Sequence, residues 1–249
     1  MTSPSPSQFT EVAEVYDSLM AVVPYHHWVN YVERIWERFD GSPTTVLDLA
    51  CGTGNVTLEL ERRGYRTVGV DNSEGMIRQA QAKPARDARF YHQDARSLHL
   101  SETYDACVSL FDSLNYILTP EELGAAFRGV CRHLNPGGLF VFDVNTIRAL
   151  ERGMFTQEGT GADDSLRYTW RSEYDPSTRL CRIAMRFQVQ TPTGTREFHE
   201  THLQRGYPLA EIRALLTEAS LEVLGVYEGY GFRSATEGSD RAYFVTRRP

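Results

Sequence analysis

The run Val46-Leu47-Asp48-Leu49-Ala50-Cys51-Gly52-Thr53-Gly54-Asn55 carries a β-branched and apolar stretch straight into a glycine turn and then a helical stretch. Without a Cβ, Gly52 and Gly54 let the backbone approach a ligand closely. The helix that follows offers free amides at its start. In an open parallel sheet this turn lies at the carboxyl ends of the strands, where ligands bind. A second carboxylate, Asp71, ends the next strand, 23 positions after Asp48. One carboxylate can accept from both hydroxyls of a ribose, and the offset suits that role. Either feature alone is ambiguous: a glycine turn can be only a tight connection, and a strand-end acid only solvated. On one strand order, the two together point to a bound nucleoside.

The kind of nucleoside follows from what surrounds the turn. A dinucleotide site wants Gly-x-Gly-x-x-Gly, whose third glycine permits close helix–strand packing. Here Thr57 stands at that third position. A triphosphate loop, Gly-x-x-x-x-Gly-Lys-Ser/Thr, is absent from the sequence. An aspartate-rich site without a phosphate nest suits a nucleoside that carries no phosphate.

The elements that must position these residues alternate along the chain. Strands are predicted over 45–49, 66–70, 89–92, 104–110 and 139–144, with helices over 55–63, 73–81 and 121–134. Strands alternating with helices imply βαβ units and a mostly parallel, doubly wound sheet, since the crossovers are right-handed. Ahead of them, 9–20 and 28–39 read as amphipathic helices separated by Pro24. After Asn145 the texture changes. Residues 167–174, 179–189 and 196–205 read as strands joined by turns, a small antiparallel sheet inserted into the α/β order. A helix over 209–219 and strands over 221–229 and 242–247 close the chain, which gives seven strands in the main sheet. The expected organisation is a loose tail over 1–8, a helical lid over 9–40, an α/β core over 41–148 and 207–249, and an inserted acceptor lobe over 149–206.

Composition narrows the function. The chain has 249 residues, 41% of them hydrophobic, enough for one large α/β domain that buries a core. No stretch approaches the roughly 18 apolar residues of a membrane span, and no secretory signal is read at the N-terminus. Cys51, Cys107, Cys131 and Cys181 are too far apart in sequence for a metal knuckle or redox pair, so reduced thiols, a cytoplasmic location and no metal are expected. The net charge of −7, without a dense Lys/Arg cluster, makes nucleic acid a poor partner.

Asp48-Leu-Ala-Cys-Gly-Thr-Gly54, Gly69-Val-Asp71-Asn-Ser-Glu-Gly-Met76, Gln93-Asp94-Ala95 and Leu134-Asn-Pro-Gly-Gly-Leu139 together resemble the successive motifs of class I S-adenosylmethionine-dependent methyltransferases. The resemblance covers about residues 44–145 and implies the Rossmann-like methyltransferase fold. Val15-Tyr16-Asp17, Tyr25 with Trp28, Asp112-Ser-Leu-Asn115-Tyr116, and Glu200-Thr-His202 with Gln204-Arg205 resemble more narrowly a bacterial branch similar to the sugar N,N-dimethyltransferases. By this resemblance S-adenosylmethionine is the cofactor. Ala50, Gly52 and Gly54, at the motif opened by Asp48, would line its methionine part. Asp71 would hold the ribose, and Asn72 and Met76 would lie against the adenine. Asp94, after Gln93, would accept from the adenine amino group, with the Ala95 amide beside it. Leu110 and Phe111 would cover the sulfonium, and Tyr16 and Trp28 would close the site. Met76 and Phe111 also read as core residues, and Trp28 as a helix anchor.

Methyl transfer from a sulfonium is an in-line displacement in which placement of the nucleophile supplies much of the acceleration. A base is needed only to take a proton from the acceptor. The candidates are Tyr16, His199, His202 and Asp112, with Tyr16 and His202 preferred as catalytic. His199 and His202 are an odd number of steps apart, so on a regular strand at most one faces the cleft. The expected acceptor is a small molecule, an amine or a hydroxyl compound, placed under the insert. A homodimer formed through the insert's sheet edge is the other use of that lobe. Two rival functions stand beside this one: a nicotinamide-dependent oxidoreductase, and a non-catalytic nucleotide-binding domain.

Overall fold

In the computed structural model, residues 8–162 and 164–249 are described. Residues 1–7 of the expected tail therefore lie outside the described residues. Gln8 is tied down, its Oε1 accepting from the Leu203 amide at 2.8 Å.

Eleven strands and seven α-helices are found among the described residues. The short helix α1 (Tyr16–Leu19) follows a 3₁₀ turn at Val12–Glu14, so the single helix expected over 9–20 is broken. The break has a local cause: Phe9 has a positive φ of 57°, and the amides of Phe9, Thr10 and Val12 donate to the Glu200 carboxylate rather than into a helix. Helix α2 (Tyr25–Arg38) buries Trp28, Val29, Val32, Ile35 and Trp36 at helical spacing. Then follow β1 (Thr45–Leu49), α3 (Asn55–Arg62), β2 (Arg66–Asp71), α4 (Glu74–Ala82), β3 (Arg89–His92), β4 (Tyr104–Ser109), α5 (Pro120–His133) and β5 (Leu134–Asn145). Ser73 caps α4 and Thr119 caps α5, each accepting an amide of the first turn.

Helix α6 (Ile147–Glu151) leads into β6 (Gln157–Thr160), β7 (Leu166–Asp175), β8 (Leu180–Thr191) and β9 (Gly194–Arg205), an antiparallel sheet in that order. Neither α6 nor β6 was expected. Both are short, and the Gln-Glu-Gly-Thr sequence of β6 lacks apolar alternation. The chain returns through α7 (Leu209–Glu218), β10 (Glu222–Glu228) and β11 (Arg241–Arg247).

The main sheet has the order β10-β11-β5-β4-β1-β2-β3. It is parallel except at β11, which runs antiparallel to both β5 and β10. Alternate residues of each strand serve opposite faces. Leu47, Cys107, Phe140, Phe142 and Phe244 pack with α5 and α7, while Val46, Val108, Val141 and Val245 pack with α2 and α3. The first crevice of the sheet opens between β1 and β4, where the strand order reverses.

The insert is sided in the same way. Trp170, Met185, Phe187, Phe198 and His202 face inward, and Arg182, Arg186 and His199 face outward. The outer face is polar, with Arg186 paired to Glu197 at 2.6 Å. No helix among the described residues is long and apolar enough to cross a membrane.

Candidate active site

A cavity of about 730 Å³ opens at the carboxyl ends of β1, β2, β3 and β4. The N-terminal segment and the inner face of the insert complete its walls. The volume falls within the roughly 300–1,000 Å³ of small-molecule sites.

At the nucleoside end, the loop after β1 is held open by backbone shape. Ala50 (φ 59°), Gly52 (φ 56°) and Gly54 (φ 79°) are all left-handed. The Cys51 amide ties the loop to Val70 O at 2.9 Å. Gly52 lines the cavity, and a Cβ there would meet nothing within 4 Å and so project into the ligand space. Gly54 is placed differently from the sequence expectation. It lies outside the cavity wall, and its missing Cβ makes room for the Phe90 ring, which a Cβ would approach to 2.6 Å. Asp71 Oδ2 accepts from Gly52 N and Oδ1 from Ser73 N, both at 2.8 Å. Each oxygen keeps a lone pair toward the cavity. Burial raises the Asp71 pKa, with the two amides opposing.

Asp48 also lines the cavity and is 2% exposed. Its Oδ2 accepts from Thr57 Oγ1 at 2.6 Å, so the residue that replaces a third glycine serves as this acid's partner. Burial pushes Asp48 up to about 7, against the Thr57 bond. Asn72, Met76, Gln93, Asp94 and Ala95 continue the wall. The Gln93 side chain itself turns back on the His99 backbone. Burial acts to raise the Asp94 pKa, but Arg96 holds it below the ordinary range through its amide and guanidinium.

Leu110 and Phe111 form the wall beyond β4. Phe111 (φ 66°) and Asp112 (φ 48°) are consecutive left-handed residues with side chains, a costly pairing. Asp143 maintains it: its carboxylate accepts from Phe111 N at 2.8 Å and Asp112 N at 3.0 Å. Arg241 bridges Asp143 and Asp112, the latter at 2.8 Å. Burial works against the Arg241 charge, but Asp143 and Asp112 hold its pKa above the ordinary value. Asp143 and Arg241 were missed in the sequence. The available signal was a carboxylate inside the apolar run Phe140-Val141-Phe142-Asp143-Val144.

Trp28 does not reach the cavity wall. It stacks on the back of Phe111 (centroids 4.0 Å apart, planes at 8°) with Arg241 over its ring at 5.6 Å. Tyr16 does line the cavity, and its hydroxyl has no partner among the described residues. Burial raises its pKa well above 10, so it is a phenol. Asp17, its neighbour, pins the segment to the glycine loop through Thr53 Oγ1 (2.6 Å), Asn55 Nδ2 (3.0 Å) and Lys83 Nζ (2.7 Å).

Among the candidate bases, His199 lies outside, bonded to Glu197. His202 lines the cavity at 1% exposure, the division that the odd spacing requires. Both of its ring nitrogens are engaged, Nε2 with Glu200 at 2.8 Å and Nδ1 with the Tyr116 hydroxyl at 3.2 Å. Glu200 also accepts from Phe9 N, Thr10 N, Thr10 Oγ1 and Val12 N, at 2.9–3.0 Å. Burial acts to raise the Glu200 pKa, but the His202 bond and these donors bring it below the ordinary value. An ionised Glu200 can only accept, so Nε2 carries the proton and Tyr116 donates to Nδ1. Asp112 is occupied as well, by Gln204 at 2.7 Å and by Arg241.

A mostly parallel sheet that reverses order between β1 and β4, a glycine loop whose neighbouring cation Lys83 is already paired with Asp17, and an acid at the end of β2 fit an S-adenosylmethionine-dependent methyltransferase. The cradle at Gly52 and the acceptor set of Asp71 and Asp94 fit that cofactor. Comparison with known proteins agrees. The family model described as a methyltransferase domain matches residues 46–138. A Bacillus subtilis (strain 168) protein provisionally named methyltransferase YqeM is 30% identical over 240 residues, 95% of each chain. A Streptomyces venezuelae dTDP-3-amino-3,4,6-trideoxy-alpha-D-glucopyranose N,N-dimethyltransferase is 32% identical over 72% of this chain and 76% of its own. A solved S-adenosylmethionine-dependent methyltransferase from Clostridium acetobutylicum ATCC 824 superposes with a TM-score of 0.81 at 27% identity, covering 97% of this chain and 99% of that one. The chain belongs to the S-adenosylmethionine-dependent methyltransferases, which sets aside the oxidoreductase reading.

Proposed function

We propose that the chain methylates the nitrogen of a small-molecule amine, by in-line displacement, in the half of the cavity roofed by the insert. The observation that carries this reading is the chain Glu200–His202–Tyr116, which ends at the cavity wall. The Streptomyces venezuelae relative, named for methylating an amino sugar, supports nitrogen as the accepting atom.

The cofactor supplies an electrophilic methyl carbon on a sulfonium whose sulfur leaves as a neutral thioether. The acceptor nitrogen forms the new bond to that carbon and sheds one proton. With both His202 nitrogens engaged, the group that can meet that proton is the Tyr116 oxygen. Tyr116 passes its own proton to Nδ1 as it takes the new one, and Glu200 stabilises the imidazolium that results. The open Tyr16 hydroxyl can accept from the acceptor and fix its approach. Asp71 holds the ribose, Asn72 and Met76 lie against the adenine that Asp94 and Ala95 bond, and Ala50 and Gly52 line the methionine part. Within the N-terminal lid expected over 9–40, residues 9–20 cover the cavity, and the insert acts as the acceptor wall.

The test is release of demethylated cofactor across a matched panel of amines and alcohols. Amines should turn over. Tyr116→Phe should slow that turnover at least tenfold and leave cofactor affinity within about 0.5 kcal/mol, the scale of changes remote from a site. Turnover confined to alcohols would reject nitrogen as the accepting atom.

A further inference from the structure

The cavity has two chemically different ends. Its cationic side chains, among the described residues, are Arg78 on α4 and Arg96 after β3, both at the nucleoside end. Arg96 is already satisfied there, by Asp94 on one side and Glu122 at 2.8 Å on the other. Residues 1–7 and 163 include no lysine or arginine that could be added to this set. The acceptor end is built from Tyr16, Tyr116, Phe155, Trp170, Met185 and His202, with Asp112 in its floor. Trp170 and Met185 face each other across β7 and β8, so an aromatic ring and a thioether stand side by side in the wall. The nearby Arg241 is consumed between Asp112, Asp143 and the Trp28 ring, and it does not line the cavity.

We infer that the acceptor is an amine with an aromatic or other uncharged body that carries no phosphate into the cavity. A phosphate at the acceptor end would meet aromatic rings and the Asp112 carboxylate with no cavity-lining guanidinium or ammonium to pair with, and an unpaired buried charge is costly. An ammonium there is favoured by the ring faces and by Asp112, which shares the single cation Arg241 with Asp143. This departs from the Streptomyces venezuelae relative, whose named substrate bears a nucleoside diphosphate. The inference rests on the methyltransferase reading and specifies its substrate class.

The two can fail separately in one set of titrations. Calorimetry would first measure demethylated cofactor binding to the whole chain, and no binding there would sink the functional reading itself. With that site saturated, 2-phenylethylamine, thymidine diphosphate and inorganic pyrophosphate would be titrated in turn. The expected result is binding of 2-phenylethylamine at millimolar strength or better, weakened at least tenfold by Trp170→Leu, with no binding of either phosphate compound. Met185→Ala is the second variant, should Trp170→Leu not fold, and it should weaken the amine severalfold. Binding of thymidine diphosphate or pyrophosphate to the saturated protein, absence of amine binding, or amine binding indifferent to the folded variants would each overturn the inference.

Discussion

Asp48 shows how one residue's environment sets its chemistry. It is buried near the end of β1, with the Thr57 hydroxyl as partner and Asp71 close enough to repel its charge. The folded pKa, raised to about 7, lies above the ordinary carboxylate value of about 4. Between those values the folded state binds the extra proton, so stability is present at low pH and falls as pH rises toward 7. Asp48→Asn keeps the acceptor for Thr57 and cannot ionise. Its stability relative to the natural chain should therefore grow by about 1.4 kcal/mol per pH unit from about pH 4 to about pH 7 and level off above. Urea melts of both proteins on either side of pH 7 check this. A gap that stays constant across the range would mean that Asp48 ionises normally. At the same scale, residue type alone does not show which hydrogen-bonding positions of a candidate base are already taken. His202 faces the cavity, but Glu200 and Tyr116 occupy its nitrogens, and the proposed route for the acceptor's proton therefore runs through the phenol.

Among the elements, the N-terminal segment is the one whose shape depends least on itself. Residues 8–14 have too few helical bonds to hold alone, and their amides are gathered by Glu200 of β9. The Ser73 hydroxyl of the α4 cap donates to Phe9 O at 2.8 Å, so the segment spans from the insert to the core across the cavity. Gly75 permits that closeness: a Cβ there would approach Ala13 Cβ to 3.1 Å. A lid of this kind should gain order when the cavity fills. Amide exchange over residues 9–20 should slow on addition of demethylated cofactor. In Glu200→Gln the amides of Phe9, Thr10 and Val12 should exchange about tenfold faster, since one charge-assisted bond is worth about 1.5–3 kcal/mol. Unchanged protection in both experiments would show that the segment is a fixed wall.

For the whole molecule, the joint between insert and core is polar and buried. Gln204 of β9 reaches Asp112, Asn115 donates to Asn145 O and Arg205 O, and Arg241 of β11 ties Asp112 to Asp143 of β5. One cation thus serves two carboxylates that are 0% and 7% exposed. Arg241→Ala would leave both without it. The expected loss is about 3–5 kcal/mol, the scale of breaking a buried ion pair, read as a fall in the urea midpoint. The loop at Phe111 and Asp112 should loosen with it, because its left-handed residues rely on Asp143. A loss below about 1 kcal/mol would mean that water reaches the joint and screens it.

The seven strands of a mostly parallel sheet, the antiparallel insert and the glycine turn with its acid were legible in the sequence because they rest on local patterns. Alternation and helical spacing set which faces bury, and the glycine turn with Asp71 sits on consecutive elements. Even the division between His199 and His202 follows from strand parity. The sequence could not assign Gly54 or Trp28 to their real neighbours, since Phe90 and Phe111 reach them only through packing across elements. Nor could it join Glu200 to Phe9, or Arg241 to Asp112 and Asp143. Those partners lie 191, 129 and 98 positions apart. Their association depends on how the main sheet, the insert and the N-terminal segment meet, and a linear pattern carries no record of that distance. The glycine-loop side of the cavity was thus set by neighbours in sequence, and the side walled by the insert by neighbours in space.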